Sequence, residues 1–279
     1  MPTVFGRCVW AGYGLRMLRA LALGALFCGW LWAGLCATAW AGSVTIVDDP
    51  DVDQAASEAV QQAVDATLDY FRAEYGLTLD HDVRLVLAAD KENFIEALIR
   101  RSRHTPEAAA DRAGKSVGLS MPGMIVENVG HQDTVAKKIF VAAHELTHQF
   151  QDQMCRHRQG TISWLSEGMA NAIAAKIVEQ EQRGSVSRFR EHWQRTVRAA
   201  KKRPFMAQLR DASAWRAAES RFGGDLIYGM GSLAVLDLID LRGEHALFDF
   251  YTRLRTADRE LAFQDAFGRD LSQFEREYD

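Results

Sequence analysis

Residues 135–150 read VAKKIFVAAHELTHQF, and this stretch decides the fold. Val135, Ile139, Phe140, Ala142, Ala143, Leu146 and Phe150 make the segment strongly apolar, so it is expected to form a helix at least part of which is buried. On it stands the pentad His144-Glu145-Leu146-Thr147-His148. Residues four apart share a helix face, which lets both imidazoles reach one metal ion while Glu145 projects beside them as a general base. By chance, such a pentad is only two polar surface histidines. Within apolar surroundings two histidines and a glutamate are costly without partners, and a zinc ion with a further carboxylate removes that cost.

Catalytic zinc takes three protein ligands and keeps a fourth position open for water. Trp164-Leu165-Ser166-Glu167-Gly168 offers the third ligand nineteen positions after His148. That interval lets the first helix end, a loop reverse direction and a second helix present Glu167. Gly168 and Ala170 are small enough for the two helices to approach closely; without that context Glu167 is an ordinary surface acid. Asn171, one turn later, either accepts a hydrogen bond from the non-ligating nitrogen of a zinc histidine or faces solvent. Tyr228 follows the Gly223-Gly224 break at the start of an apolar helix. By itself it reads as a half-buried packing residue.

The regions around this centre differ in periodicity. Upstream, residues 43–47 and 83–87 read as strands, 53–75 and 90–101 as helices, and two further strands near 116–120 and 124–127 flank the turn signal Pro122-Gly123. Downstream the pattern is helical almost throughout, with a helix from Glu167 to 181, a basic segment over 186–202 and apolar helices over 226–241 and 246–254. The basic segment, with Phe189, Trp193 and Val197 interleaved, is a solvated amphipathic helix or a contact for an anionic membrane or cell-wall polymer.

Composition narrows the classes. With 279 residues, 25% charged and 48% hydrophobic, the chain reads as globular. Residues 1–41 resemble an export signal: Arg16 and Arg19 precede an uncharged stretch from Ala20 to Ala41, and Ala39-Trp40-Ala41 fits a cleavage site before Gly42. Met17 is a candidate true start. The alternative is an uncleaved anchor, since about 22 uncharged residues can span a bilayer. Removing the segment takes Arg7, Arg16 and Arg19 with it and moves the formal charge from −4 to about −7. A mildly acidic protein lacks the basic footprint that nucleic acid requires. Cys8, Cys28 and Cys36 fall in the same segment, which leaves Cys155 and no internal disulfide. An exported, periplasmic or secreted protein is expected, with residues 42–155 as an α/β lobe and 156–279 as a helical lobe.

His144-Glu145-x-x-His148 followed by Glu167 resembles the gluzincin clan of zinc metallopeptidases, and Trp-Leu-Ser-Glu-Gly-Met-Ala resembles M1-type aminopeptidases and bacterial collagenases. Tyr228-Gly229-Met230-Gly231 lies sixty-one positions after Glu167, close to where M1-type enzymes carry an oxyanion-steadying tyrosine. The stretch 262–275, AFQDAFGRDLSQFE, resembles the closing helices of compact peptidase MA-like domains. The likeness covers roughly 116–279. It implies an α+β, thermolysin-like zincin: a small mixed β-sheet with helices in the N-terminal lobe, a mostly α-helical C-terminal lobe and the active site between them. It also implies one catalytic Zn2+ on His144, His148 and Glu167, Glu145 as general base, Tyr228 as oxyanion donor, and a peptide or protein substrate. Gly123-Met124-Ile125-Val126-Glu127-Asn128 echoes the M1 amine-binding motif Gly-x-Met-Glu-Asn with one residue too many, and is read as a coincidental edge strand. Two other functions fit the same scaffold: a catalytically silent zinc-binding module, and an envelope-assembly protein tethered by its amino terminus and the basic helix 186–203.

Overall fold

The computed structural model describes residues 41–102, 104–156 and 161–279. The export segment, with the Met17 start and three of the cysteines, lies outside the described residues but for Ala41. Ala39–Asp279 forms one compact unit. Among the described residues no helix is long and apolar enough to cross a membrane.

The chain begins with a parallel crossover: β1 (Val44–Asp48), α1 (Gln54–Tyr75) and β2 (Val83–Ala88). Two helices follow, α2 (Lys91–Ser102) and α3 (Pro106–Ala113), and then the hairpin β3 (Gly118–Met121) and β4 (Met124–Asn128). Pro122 and Gly123 make its turn, with Gly123 at φ +69°, a conformation that glycine adopts without Cβ strain. The sheet order is β1-β2-β4-β3, parallel except for the β3–β4 pair. Both faces are covered, which explains why β2 carries no polar alternation beyond Arg84. Leu85, Leu87 and Ile125 face the main core; Val86, Ala88 and Val126 face a smaller one closed by Phe94, Leu98 and Ala109.

The spine of the molecule is α4 (Val135–Cys155), the helix expected over the opening stretch. Thr134 caps it, its hydroxyl accepting from the Lys137 N–H at 3.2 Å. Phe150 stacks on Phe71 of α1 with ring centroids 3.8 Å apart. On the far side lie α5 (Ser163–Gln180), α6 (Val186–Ala199), α7 (Ala212–Phe222), α8 (Gly224–Arg242), α9 (His245–Arg253), α10 (Arg259–Phe267) and α11 (Leu271–Tyr278). Thus the described chain is α+β, mostly helical, with one small mixed sheet. The Trp164 indole is fully buried and donates to Glu275 at 2.9 Å, while Arg210 also holds Glu275, so the start of α5 is tied to the chain's last helix.

One expectation is corrected. The segment carrying Glu127 is not an edge strand: β4 lies between β2 and β3, and Glu127 is fully buried. The hairpin folds β3 outside β4, so β3 takes the edge. The basic segment forms α6, whose Trp193 is buried and whose Arg190 pairs with Asp240 at 2.7 Å. Arg203 bonds the terminal carbonyls of Tyr278 and Asp279. Part of that positive charge therefore serves the fold.

Candidate metal centre

Helices α4 and α5 pack side by side and bring together the three residues picked out as ligands. Their donor atoms form a triangle: His144 Nε2 to His148 Nε2 is 3.1 Å, His144 Nε2 to Glu167 Oε2 is 3.2 Å, and His148 Nε2 to Glu167 Oε2 is 3.5 Å. A tetrahedral ion with bonds of about 2.0–2.1 Å needs ligand atoms about 3.3–3.4 Å apart. The triangle fits one such ion, and His144, His148 and Glu167 form a group able to hold a metal.

Each imidazole is oriented through its other nitrogen. His144 Nδ1–H donates to Asn171 Oδ1 at 2.8 Å, since a carbonyl oxygen can only accept; this leaves Nε2 as the lone-pair atom. The Asn171 amide donates in turn to Ser232 Oγ at 2.8 Å, and Ser232 donates to the Tyr228 carbonyl at 2.7 Å. A hydrogen-bond chain thus runs from a ligand on α4 through α5 to α8. His148 Nδ1–H donates to Gln151 Oε1 at 2.7 Å, and Gln151 is fixed by the Ser166 carbonyl at 3.0 Å and the Ser166 hydroxyl at 2.8 Å. Of these partners the sequence reading found only Asn171. Gln151 follows His148 at i+3 on one helix face, a spacing that could have revealed it.

Electrostatics in the metal-free protein follow from crowding. Burial alone would lower the pKa of His148, but the charge and hydrogen bond of Glu167, with help from Glu145 and Gln151, lift it to about 9. Burial pushes Glu167 up, and the two histidines overcome it and hold the carboxyl far below the usual range. The pair is therefore ionised, and a metal ion must displace the His148 proton to bind.

Glu145 is buried one position from His144 and faces the edge strand. At Gly118 a Cβ would stand 2.6 Å from Glu145 Oε1, so a side chain there would push that carboxylate from its present position. Tyr228 lies one turn inside α8, its ring centroid 6.2 Å from that of His144. Burial, then the charges of Glu167, Glu219 and Glu145, push its hydroxyl well above the ordinary value and keep it a proton donor. Glu145, Tyr228 and the three ligands line a cavity of about 210 Å³, walled by Gly118, Leu119 and Ser120 of β3 and by Arg112 of α3. No protein-family model and no curated protein matches this chain.

Proposed function

We propose that the protein is an exported zinc-dependent metallopeptidase of the gluzincin, thermolysin-like kind that hydrolyses peptide bonds in periplasmic or secreted proteins. The donor triangle opening onto a cavity shared with Glu145 carries this reading. Two imidazoles and one carboxylate leave a fourth position free, the donor set of a catalytic rather than a structural zinc site. The bound ion supplies Lewis-acid polarisation of the scissile carbonyl and acidifies a water.

The chain's own residues supply the rest. Glu145 takes the water's proton and passes it to the leaving amine. The Tyr228 hydroxyl donates to the developing oxyanion. One wall of the cavity is β3, which among the described residues has no strand on its outer side; an extended peptide could add there, beside the cavity that holds the donor triangle. Export is supported only by the pattern of residues 16–41.

The test is Glu145→Gln. Full-length protein should bind one zinc per chain before and after the substitution, whereas cleavage of a quenched-fluorescent peptide library should fall at least about 10³-fold. A variant that cleaves as fast as the parent would overturn the base assignment, and a parent that binds no zinc would overturn the whole reading.

A further inference from the structure

We propose that Arg112 is a specificity-determining residue that binds a carboxylate of the peptide, drawn either from an acidic side chain or from a free C-terminus; this rests on the peptidase reading above. Arg112 stands in the last turn of α3, and its carbonyl accepts the N–H groups of Lys115 and Ser116 at 2.9 Å each, which pins the backbone just ahead of β3. Arg112 lines the candidate metal cavity.

Arg112 is half-buried as a residue, and a guanidinium partly removed from water is favoured by a partner of opposite charge. Among the described residues Arg112 makes no ion pair. The nearest acid in sequence, Asp111, is held by Lys115 at 2.7 and 2.9 Å. Glu219 of α7 feels the charge of Arg112 but does not line the cavity, and it forms no ion pair with Arg112 among the described residues. Tyr228 lines the same cavity as Arg112, together with Glu145 and the three donor residues. The acidic residues that line the cavity are Glu145, Asp152 and Glu167. Apart from the two histidines of the donor triangle, Arg112 is the one basic side chain among the described residues that line the cavity, and its planar fork suits two carboxylate oxygens at once.

The experiment measures binding to full-length, zinc-loaded Glu145→Gln protein, which should hold peptides without cutting them. Fluorescein-labelled alanine-rich nonapeptides are compared in pairs, with Asp against Asn at each position in turn and a free acid against an amide at the C-terminus. At least one carboxylate peptide should bind about tenfold or more tighter than its amide partner. The pair that shows the preference identifies the source of the carboxylate. Adding Arg112→Gln should bring the ratio to within about twofold, and Arg112→Lys, which keeps a point charge and loses the fork, should keep part of it. Zinc content and melting temperature verify folding of each variant. Equal binding within every pair, or a preference that survives Arg112→Gln, overturns the proposal. If the preference depends on Arg112 yet the parent cleaves no peptide, the carboxylate site stands and the peptidase reading falls.

Discussion

Asn171 ties the two helices of the metal site to a third. Its Oδ1 fixes the tautomer of His144, and its amide hands the constraint to Ser232 and the Tyr228 carbonyl. Asn171→Ala leaves all three ligands in place but frees the His144 ring to rotate and to protonate at either nitrogen. Zinc affinity, measured by competition with a chromogenic chelator, should drop about 10–100-fold; unchanged affinity would reduce Asn171 to packing. At this scale the three residues of the donor group were legible because i,i+4 spacing is local and Glu167 comes in a distinctive run of residues. The partner of Asn171 was not legible, since Ser232 lies on a different helix and only folding sets it 2.8 Å away.

At the scale of elements, the candidate metal site depends on how closely α5 meets its neighbours. A Cβ on Gly168 would lie 2.3 Å from the Gly231 carbonyl oxygen of α8, and one on Gly231 would lie 2.7 Å from the Trp164 carbonyl oxygen. Backbone meets backbone here, so no side-chain rotation relieves the clash. Gly168→Ala should destabilise the fold by about 1–3 kcal/mol in urea unfolding, and should also weaken zinc binding, because Glu167 and Asn171 ride on the helix that is displaced. A variant as stable as the parent would mean that α5 can shift freely. Helices α4, α5 and α8 were legible from long apolar periods. The short α3 was not, although Thr105-Pro106-Glu107 carries a start signal that the structure uses, with Thr105 Oγ1 accepting from Ala108 N–H at 3.2 Å. Nor was α7, whose eleven residues bury only Trp215, Ala218 and Glu219. The first of these helices supplies Arg112 to the cavity, so that part of its wall was missed by pattern.

For the molecule as a whole, Glu127 links folding to pH. It is fully buried on β4, its Oε1 accepting from Gln132 at 3.0 Å. Burial lifts its pKa to about 8; the Gln132 bond and Lys138 pull it down, and the facing Glu145 raises it. An unfolded glutamate ionises near 4.3. Between those values the native state keeps a proton that the unfolded chain has released, so this carboxyl makes stability fall as pH rises from about 4.5 to about 8. Glu127→Gln mimics the protonated form. It should melt close to the parent at pH 4.5 and above it at pH 8, by roughly 2–5 kcal/mol; parallel pH profiles would show that Glu127 is ionised in the fold.

The sequence by itself determined the helix that carries the pentad, the spacing of its two imidazoles and base, the acid nineteen residues on, and the division between a mixed sheet region and a helical remainder. All of these follow from local period and composition, which are properties of neighbours along the chain. Only the tertiary structure decided that β4 is interior and β3 lies at the edge, that Gly118 makes room for Glu145, and that Asn171, Gln151 and Arg112 surround the ligands. Those contacts join segments tens of residues apart, and they exist only once the burial of apolar faces on α1, α4, α5 and α8 has brought the elements together.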